Sequence, residues 1–404
     1  MRNVHRAIVW VLGIGLVLFF GVALYISLDL TEGRTDMSHV APSLAVDGNS
    51  GQAGETVASQ KGGRIGLPYA GPPLAFDGNS IQAGETVIVP TLDTPAPAGK
   101  NIIWCATFQL CWDELKPIVA IDPDDVPDSP ETVERLNNAR VNKDDLPAGG
   151  YYVAAGRVKD GIVRKIQSDM AARFPHVTPD IAADDATVAL AYAYLADSLK
   201  FGAPYLDSKS GDVFVDSAGT RTPITSFGLH KRDGAPLNTM LVRQIEILYF
   251  RYNEETHRYE EFVLDLDKKS SPTQIILACV APRESLVATW QDVLRKIEEW
   301  QPGRDSEREF DKHDTLAVPN INYKIQHRFR ELETNPRLKA SQTIEFRLDR
   351  SGTAFASHAQ HVALAADGRD FQFTQPFLIV MRKRESTEPY FVMWIDNAEL
   401  LCKP

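Results

Sequence analysis

Apolar and polar residues alternate with a period of two from Ser341 to Asp349, with Ile344, Phe346 and Leu348 set against Thr343, Glu345, Arg347 and Asp349. That pattern predicts a half-buried strand. Ser351-Gly352-Thr353 interrupts it, and from Thr353 to Asp370 the chain turns to Ala, Ser, His, Gln and Gly, too poor in large apolar groups to hold one conformation, which predicts an exposed loop. Strands resume at Phe371–Phe373, Pro376–Met381 and, after the charged turn Arg382–Glu388, in Tyr390-Phe391-Val392-Met393-Trp394-Ile395.

Upstream, Val188–Leu195 is an unbroken apolar run, as in a strand buried on both faces. Met240–Tyr252 and Arg258–Leu266 flank a charged turn and read as a hairpin, and Gln274–Ala281 is a further buried run. Helical spacing joins Trp104, Phe108, Cys111 and Leu115, with Pro117 beyond the end; Ile162, Ile166, Met170 and Phe174; and Leu286, Trp290, Val293, Ile297 and Trp300. Helices first and strands later predict an α+β fold.

Ala7–Leu28 carries no charge and, at roughly 1.5 Å per residue, gives a helix of about 33 Å, enough to cross the hydrocarbon layer. A cleaved signal peptide has a shorter apolar run, so the expectation is one transmembrane signal anchor over residues 1–28. Arg2, His5 and Arg6 precede it and Asp29, Glu32 and Asp36 follow, which orients the large domain extracytoplasmically in a single-pass membrane protein. Residues 29–100 read as a flexible Gly/Pro linker with a duplicated segment: LAVDGNSGQAGETV (Leu44–Val57) returns as LAFDGNSIQAGETV (Leu74–Val87), and two such copies bury no face of their own. The folded domain is expected over 101–404, with a start as early as Thr86–Pro90 as the other boundary.

A net charge of −11 argues against nucleic acid as a partner. No acid/base pair, phosphate-cradling loop or HExxH sequence is visible, and the protein reads as no enzyme. His358 and His361 with Asp367 nearby read as exposed loop residues, so no metal and no cofactor is expected. Cys105 and Cys111 are expected on one helix, facing different ways, while pairing of these or of Cys279 and Cys402 across elements stays open.

Strand, Gly-Thr, small-residue loop, aromatic stretch, Pro-Phe-Leu, charged turn and Phe-Val-Met between Lys339 and Trp394 together resemble the reactive-loop region of the serpins. Thr187–Tyr205, with Lys200-Phe201-Gly202, and Leu316–Leu332 resemble further serpin segments in the right order, so the resemblance covers about 163–397. It implies a divergent, shortened serpin-like fold of mixed helices and large β-sheets with an exposed loop, its helical layer trimmed before Val163. Serpins are protease inhibitors: a serine or cysteine protease cuts the loop, which inserts into the large sheet as a strand. Carried over by position, Gly352, Thr353 and Ala354 match the hinge and Ala365–Ala366 the scissile bond, with Arg369–Asp370 as the alternative. Arg350 stands where the family has an acidic residue. The implied function is a membrane-anchored protein that meets an extracytoplasmic protease as inhibitor or substrate; the alternative is a non-inhibitory serpin-like binding or structural module.

Overall fold

The computed structural model describes residues 18–20, as backbone, and 84–404 except 120, 182, 184–186, 198, 209–210, 231–238, 256–257, 334–337 and 351–367. In chain order its elements are β1 (Leu18–Phe20), β2 (Thr86–Ile88), β3 (Asn101–Cys105), α1 (Thr107–Leu115), α2 (Pro130–Asn137), β4 (Tyr151–Arg157), α3 (Ile162–Arg173), β5 (Ala189–Asp197) and β6 (Leu206–Asp207). There follow β7 (Asp212–Val215), β8 (Arg221–Ile224), β9 (Ser226–Leu229), α4 (Thr239–Gln244), β10 (Glu246–Asn253), β11 (Arg258–Asp265), β12 (Thr273–Cys279) and α5 (Leu286–Glu299). The last are β13 (Thr315–Pro319), β14 (Ile321–Arg328), β15 (Ser341–Leu348), β16 (Asp370–Gln372), β17 (Phe377–Lys383) and β18 (Pro389–Ile395). The fold is mixed α+β, and sheets dominate it.

A seven-stranded sheet in the order β10-β11-β12-β17-β18-β3-β2 forms the centre, antiparallel except where β2 runs parallel to β3. Every residue of β18 is buried, so this strand has no solvent face. The β14–β15 hairpin covers one side of it: Phe346 stacks on Phe391 at 5.0 Å and Tyr323 donates to the sulfur of Met393. On β15 the expected alternation appears, with Gln342, Ile344, Phe346 and Leu348 buried. Against the same sheet, α5 starts at Ser285, whose hydroxyl accepts the amide of Ala288, and buries Leu286, Trp290 and Val293. The indole of Trp290 donates to the carbonyl of Thr387, which fixes the helix to the turn before β18.

β5 pairs antiparallel with β4, and α3 closes a second, smaller core over this pair from Ile162, Ile166, Met170 and Phe174 against Tyr152, Leu190, Tyr192 and Tyr194. β5 and β15 are neighbours: burial and then the Glu345 charge raise the Tyr194 phenol above its ordinary range. Among the described residues β15 pairs only with β14, and the edge of β5 away from β4 pairs only at Leu195–Asp197, with β1. β1 also lies against β15.

Several sequence expectations shift. Trp104 and Cys105 belong to β3, where Cys105 pairs with Phe391, because the all-buried run Asn101–Cys105 fills a sheet position and the helix starts only at Thr107. Residues Thr239–Gln244 turn as α4 before the hairpin strand begins. The linker ends earlier than residue 100. Thr86–Ile88 adds a strand to the central sheet, since Thr86, Ile88 and Val89 find buried positions beside β3. The membrane anchor falls largely outside the described residues, but Leu18–Phe20 runs as a strand on the free edge of β5, not as part of a spanning helix. Among the described residues no helix is long and apolar enough to cross a membrane.

The turns at one end of the central sheet are tied by an ion pair whose carboxylate is buried. Arg384 bonds Asp265 at 2.9 Å, the carbonyls of Ser270 and Asp267 at 2.8 and 2.9 Å, while Gln274 donates to the same carboxylate at 2.8 Å. The Asp265 side chain is fully buried. Removing one partner of such a pair strands the other, at about 3–5 kcal/mol. Asp265→Ala is therefore expected to lower unfolding free energy by that amount in a denaturant titration.

Candidate functional site

The stretch that the sequence marks as reactive joins β15, in one sheet, to β16, in another. Gly352, Thr353, Ala354, Ala365 and Ala366 lie outside the described residues, as do His358, His361 and Asp367. What the structure describes is the frame on either side.

At the entry, Arg350 follows β15 and reaches across to β6, where its guanidinium forms an ion pair with Asp207. Its carbonyl accepts the amide of Tyr205 at 3.2 Å. Tyr205 is itself fixed, its hydroxyl donating to the carbonyl of Leu266 at 2.6 Å and its ring packed on Phe201 and Phe227. Arg350 thus acts as a latch between β15 and the segment after β5. Arg347 and Asp349 pair beside it at 2.5 Å.

At the exit, Gly368 passes so close to the backbone of His313 that a Cβ there would sit 1.8 Å from its carbonyl oxygen. Only glycine fits. Arg369 comes next, its amide donating to Asp314 Oδ1 at 2.8 Å and its carbonyl accepting the amide of Thr315 at 2.8 Å. Its guanidinium donates to Asp314 at 2.6 Å and to the carbonyls of Glu307 and Glu309, and lies 5.6 Å from the centre of the Phe250 ring. The Arg369 and Asp314 side chains are 14% and 3% exposed. Asp370 then opens β16, its carboxylate accepting from the hydroxyl of Thr315 and from Gln372 at 2.5 Å.

This geometry bears on the alternative bond. A protease that cuts after arginine must take the free side chain into its own pocket, whereas every guanidinium nitrogen of Arg369 is already engaged. Arg369–Asp370 is a structural anchor of the loop, not a presented bond, and nothing in the local sequence signals this because the partner Asp314 is 55 residues away.

Among the described residues no group of three or more His, Cys, Asp or Glu is arranged to hold a metal. No disulfide joins the four cysteines; burial pushes the thiols of Cys105 and Cys279 up to about 11, which keeps them protonated at neutral pH. A cleft of about 390 Å³ lies between α4 and the β11–β12 turn, lined by Arg243, Lys268, Lys269, Glu309 and Phe310, next to the exit latch, where Arg369 bonds the Glu309 carbonyl.

No family model and no curated protein matches the chain. Solved structures similar to it include thyroxine-binding globulin in complex with thyroxine, at 13% identity and a TM-score of 0.42, with 74% of this chain and 93% of that chain covered. Another is tengpin, a thermophilic serpin in its native state, at 9% identity and a TM-score of 0.42, covering 76% and 90%. Both neighbours are serpins, the family that Lys339–Trp394 resembles in sequence.

The exit latch makes a direct prediction. Trypsin should leave the bond after Arg369 intact in the native protein, and Asp314→Ala, which frees the guanidinium and costs about 3–5 kcal/mol through the stranded charge, should expose it. Peptide mapping of a timed digest reads both. Gly368→Ala should lower the melting temperature without creating that cut, because it displaces backbone and leaves the ion pair its partners.

Proposed function

We propose that this protein is a serpin-like partner of a serine or cysteine protease, which it meets through the segment 351–367. The observation that carries this reading is the frame: the segment joins β15 and β16, which lie in two separate sheets, and its flanks are latched at Arg350 and at Gly368–Arg369. With Arg369 withdrawn into its ion pair, Ala365–Ala366 is the bond offered, which suits an elastase-like protease that accepts small residues. The protease supplies the catalytic groups. The protein supplies the bait and the sheet that receives it.

Two features favour the role of substrate over that of trap. An inserting strand must enter beside β5, where β1 already pairs with Leu195–Asp197. It must also bury Phe355 and His361, which fall on the inward-facing set counted from Thr353. A non-inhibitory binding or structural module is the second reading, and it gains if the segment resists cleavage.

Incubation with a panel of serine and cysteine proteases, followed by denaturing electrophoresis and sequencing of the new amino terminus, tests the reading. The expected result is cleavage at Ala365–Ala366 with little covalent complex and little gain in melting temperature. A stable covalent complex with the unmodified chain, together with a large gain in melting temperature after cleavage, would mean that insertion proceeds despite both obstacles. No cut at all between 351 and 367 would leave the binding-module reading.

A further inference from the structure

Three cations meet at the cleft beside the exit latch. Arg243 stands in the last turn of α4, and Lys268 and Lys269 stand on the turn between β11 and β12. Among the described residues none of the three forms an ion pair, in a chain whose net charge is −11. The backbone beneath them is fixed. The amide of Lys268 donates to the carbonyl of Gln244 at 2.8 Å, which joins the turn to the end of α4. Asp267, 2% exposed, accepts the amides of Lys269 at 3.1 Å and Gly202 at 2.8 Å, and Arg384 holds the carbonyls of Asp267 and Ser270. Both lysines are therefore placed by their main chain while their ammonium groups stay uncommitted.

Glu309 and Phe310 form the remaining wall. Glu309 bridges to Glu246 at the start of β10 and gives its carbonyl to Arg369, while its carboxylate is left in solvent. Phe310 is buried, with its ring 5.7 Å from that of Phe371, and adds an apolar surface to those of Val242 and Ile245. Like charges gathered round an empty hollow repel one another, and the same charges become favourable when an anion enters. The lining carries three positive charges and one negative, so an occupant with two negative charges balances it. A phosphate monoester brings about that charge at neutral pH, and its oxygens suit an arginine fork flanked by lysines. The volume, about 390 Å³, lies at the small end of the range of ligand pockets, roughly 300–1,000 Å³, and fits one head group with a ring or short chain. We propose that this cleft binds a small organic phosphate, its head among Arg243, Lys268 and Lys269 and its apolar body against Phe310, Val242 and Ile245. Glu309 opposes the same ligand and limits its affinity.

Isothermal titration calorimetry of the full-length protein with naphthyl phosphate at low salt tests the site. Inorganic phosphate lacks the apolar body, naphthol lacks the head and naphthyl sulfate lacks one charge. Naphthyl phosphate is expected to bind in one saturable step, about tenfold or more tightly than any of the three. Lys268→Ala with Lys269→Ala should weaken it about tenfold and leave the melting temperature of the unliganded protein unchanged, since neither ammonium group has an ionic partner to lose. Arg243→Gln, on the facing wall, should weaken it as well, so that the site is probed from two elements. Glu309→Gln should tighten it several-fold; Arg369 bonds the backbone carbonyl at that position, so the exit latch survives the change. The proposal is overturned if naphthyl phosphate does not saturate, if naphthol or inorganic phosphate matches it, or if the lysine and Arg243 variants leave its affinity unchanged, which would put the anion elsewhere on the surface. Weaker binding by Glu309→Gln would overturn it too, because the carboxylate would then be a contact of the ligand and not an opposing charge.

Discussion

A strand with no solvent face is the constraint on which the other layers depend. β18 is buried from Pro389 to Ile395, so each side chain on it must be met from above or below and each backbone group from a flanking strand. β17 and β3 supply the ladders, Phe346 and Tyr323 of the β14–β15 hairpin cover one face, and α5 is fixed at the turn that leads into the strand. Tyr390 links this interior to the neighbouring sheet, its hydroxyl donating to Asp197 on β5 in a setting where burial, and then the Asp197 charge, keeps the phenol protonated. The position of β15 and β5 relative to each other, and with it the frame of the loop, follows from packing against this one strand.

The two latches of that frame differ in kind. Arg350–Asp207 is an accessible pair, with Asp207 largely in solvent, so it holds a position at little energetic cost and opens readily. Arg369–Asp314 is withdrawn from water, and its strength comes from geometry: a multiply bonded guanidinium over aromatic rings, beside a glycine that admits no side chain. The chain between β15 and β16 is therefore hung from one soft point and one hard point. Motion of its entry is inexpensive and motion of its exit is not, which biases any rearrangement toward the β15 end.

Much of this was legible in sequence where a single period governs a stretch. The alternation in β15, the buried runs of β5 and β12, the hairpin of β10 and β11 and the amphipathic faces of α3 and α5 all follow from local pattern. Trp104 and Cys105 were not legible as strand because Trp104, Phe108, Cys111 and Leu115 happen to fit a helical spacing across a real strand-to-helix junction. Glu85 looked like linker, and Thr86–Pro90 only one of two possible domain starts, because the partners Glu399 and Asn101 sit at remote or unremarkable positions in the chain. Arg369 looked like a presented residue for the same reason: its role is written in Asp314 and in the carbonyls of Glu307 and Glu309, and no window around residue 369 contains them.

The close pass of Gly368 over His313 has a bearing on how such a chain changes over time. Both latches are built from residues outside 351–367. At the exit the glycine and the arginine beside it act on one corner of backbone, where a single added methyl group at position 368 has no room. A lineage carrying this frame keeps those two neighbours together, because losing either undoes the same corner.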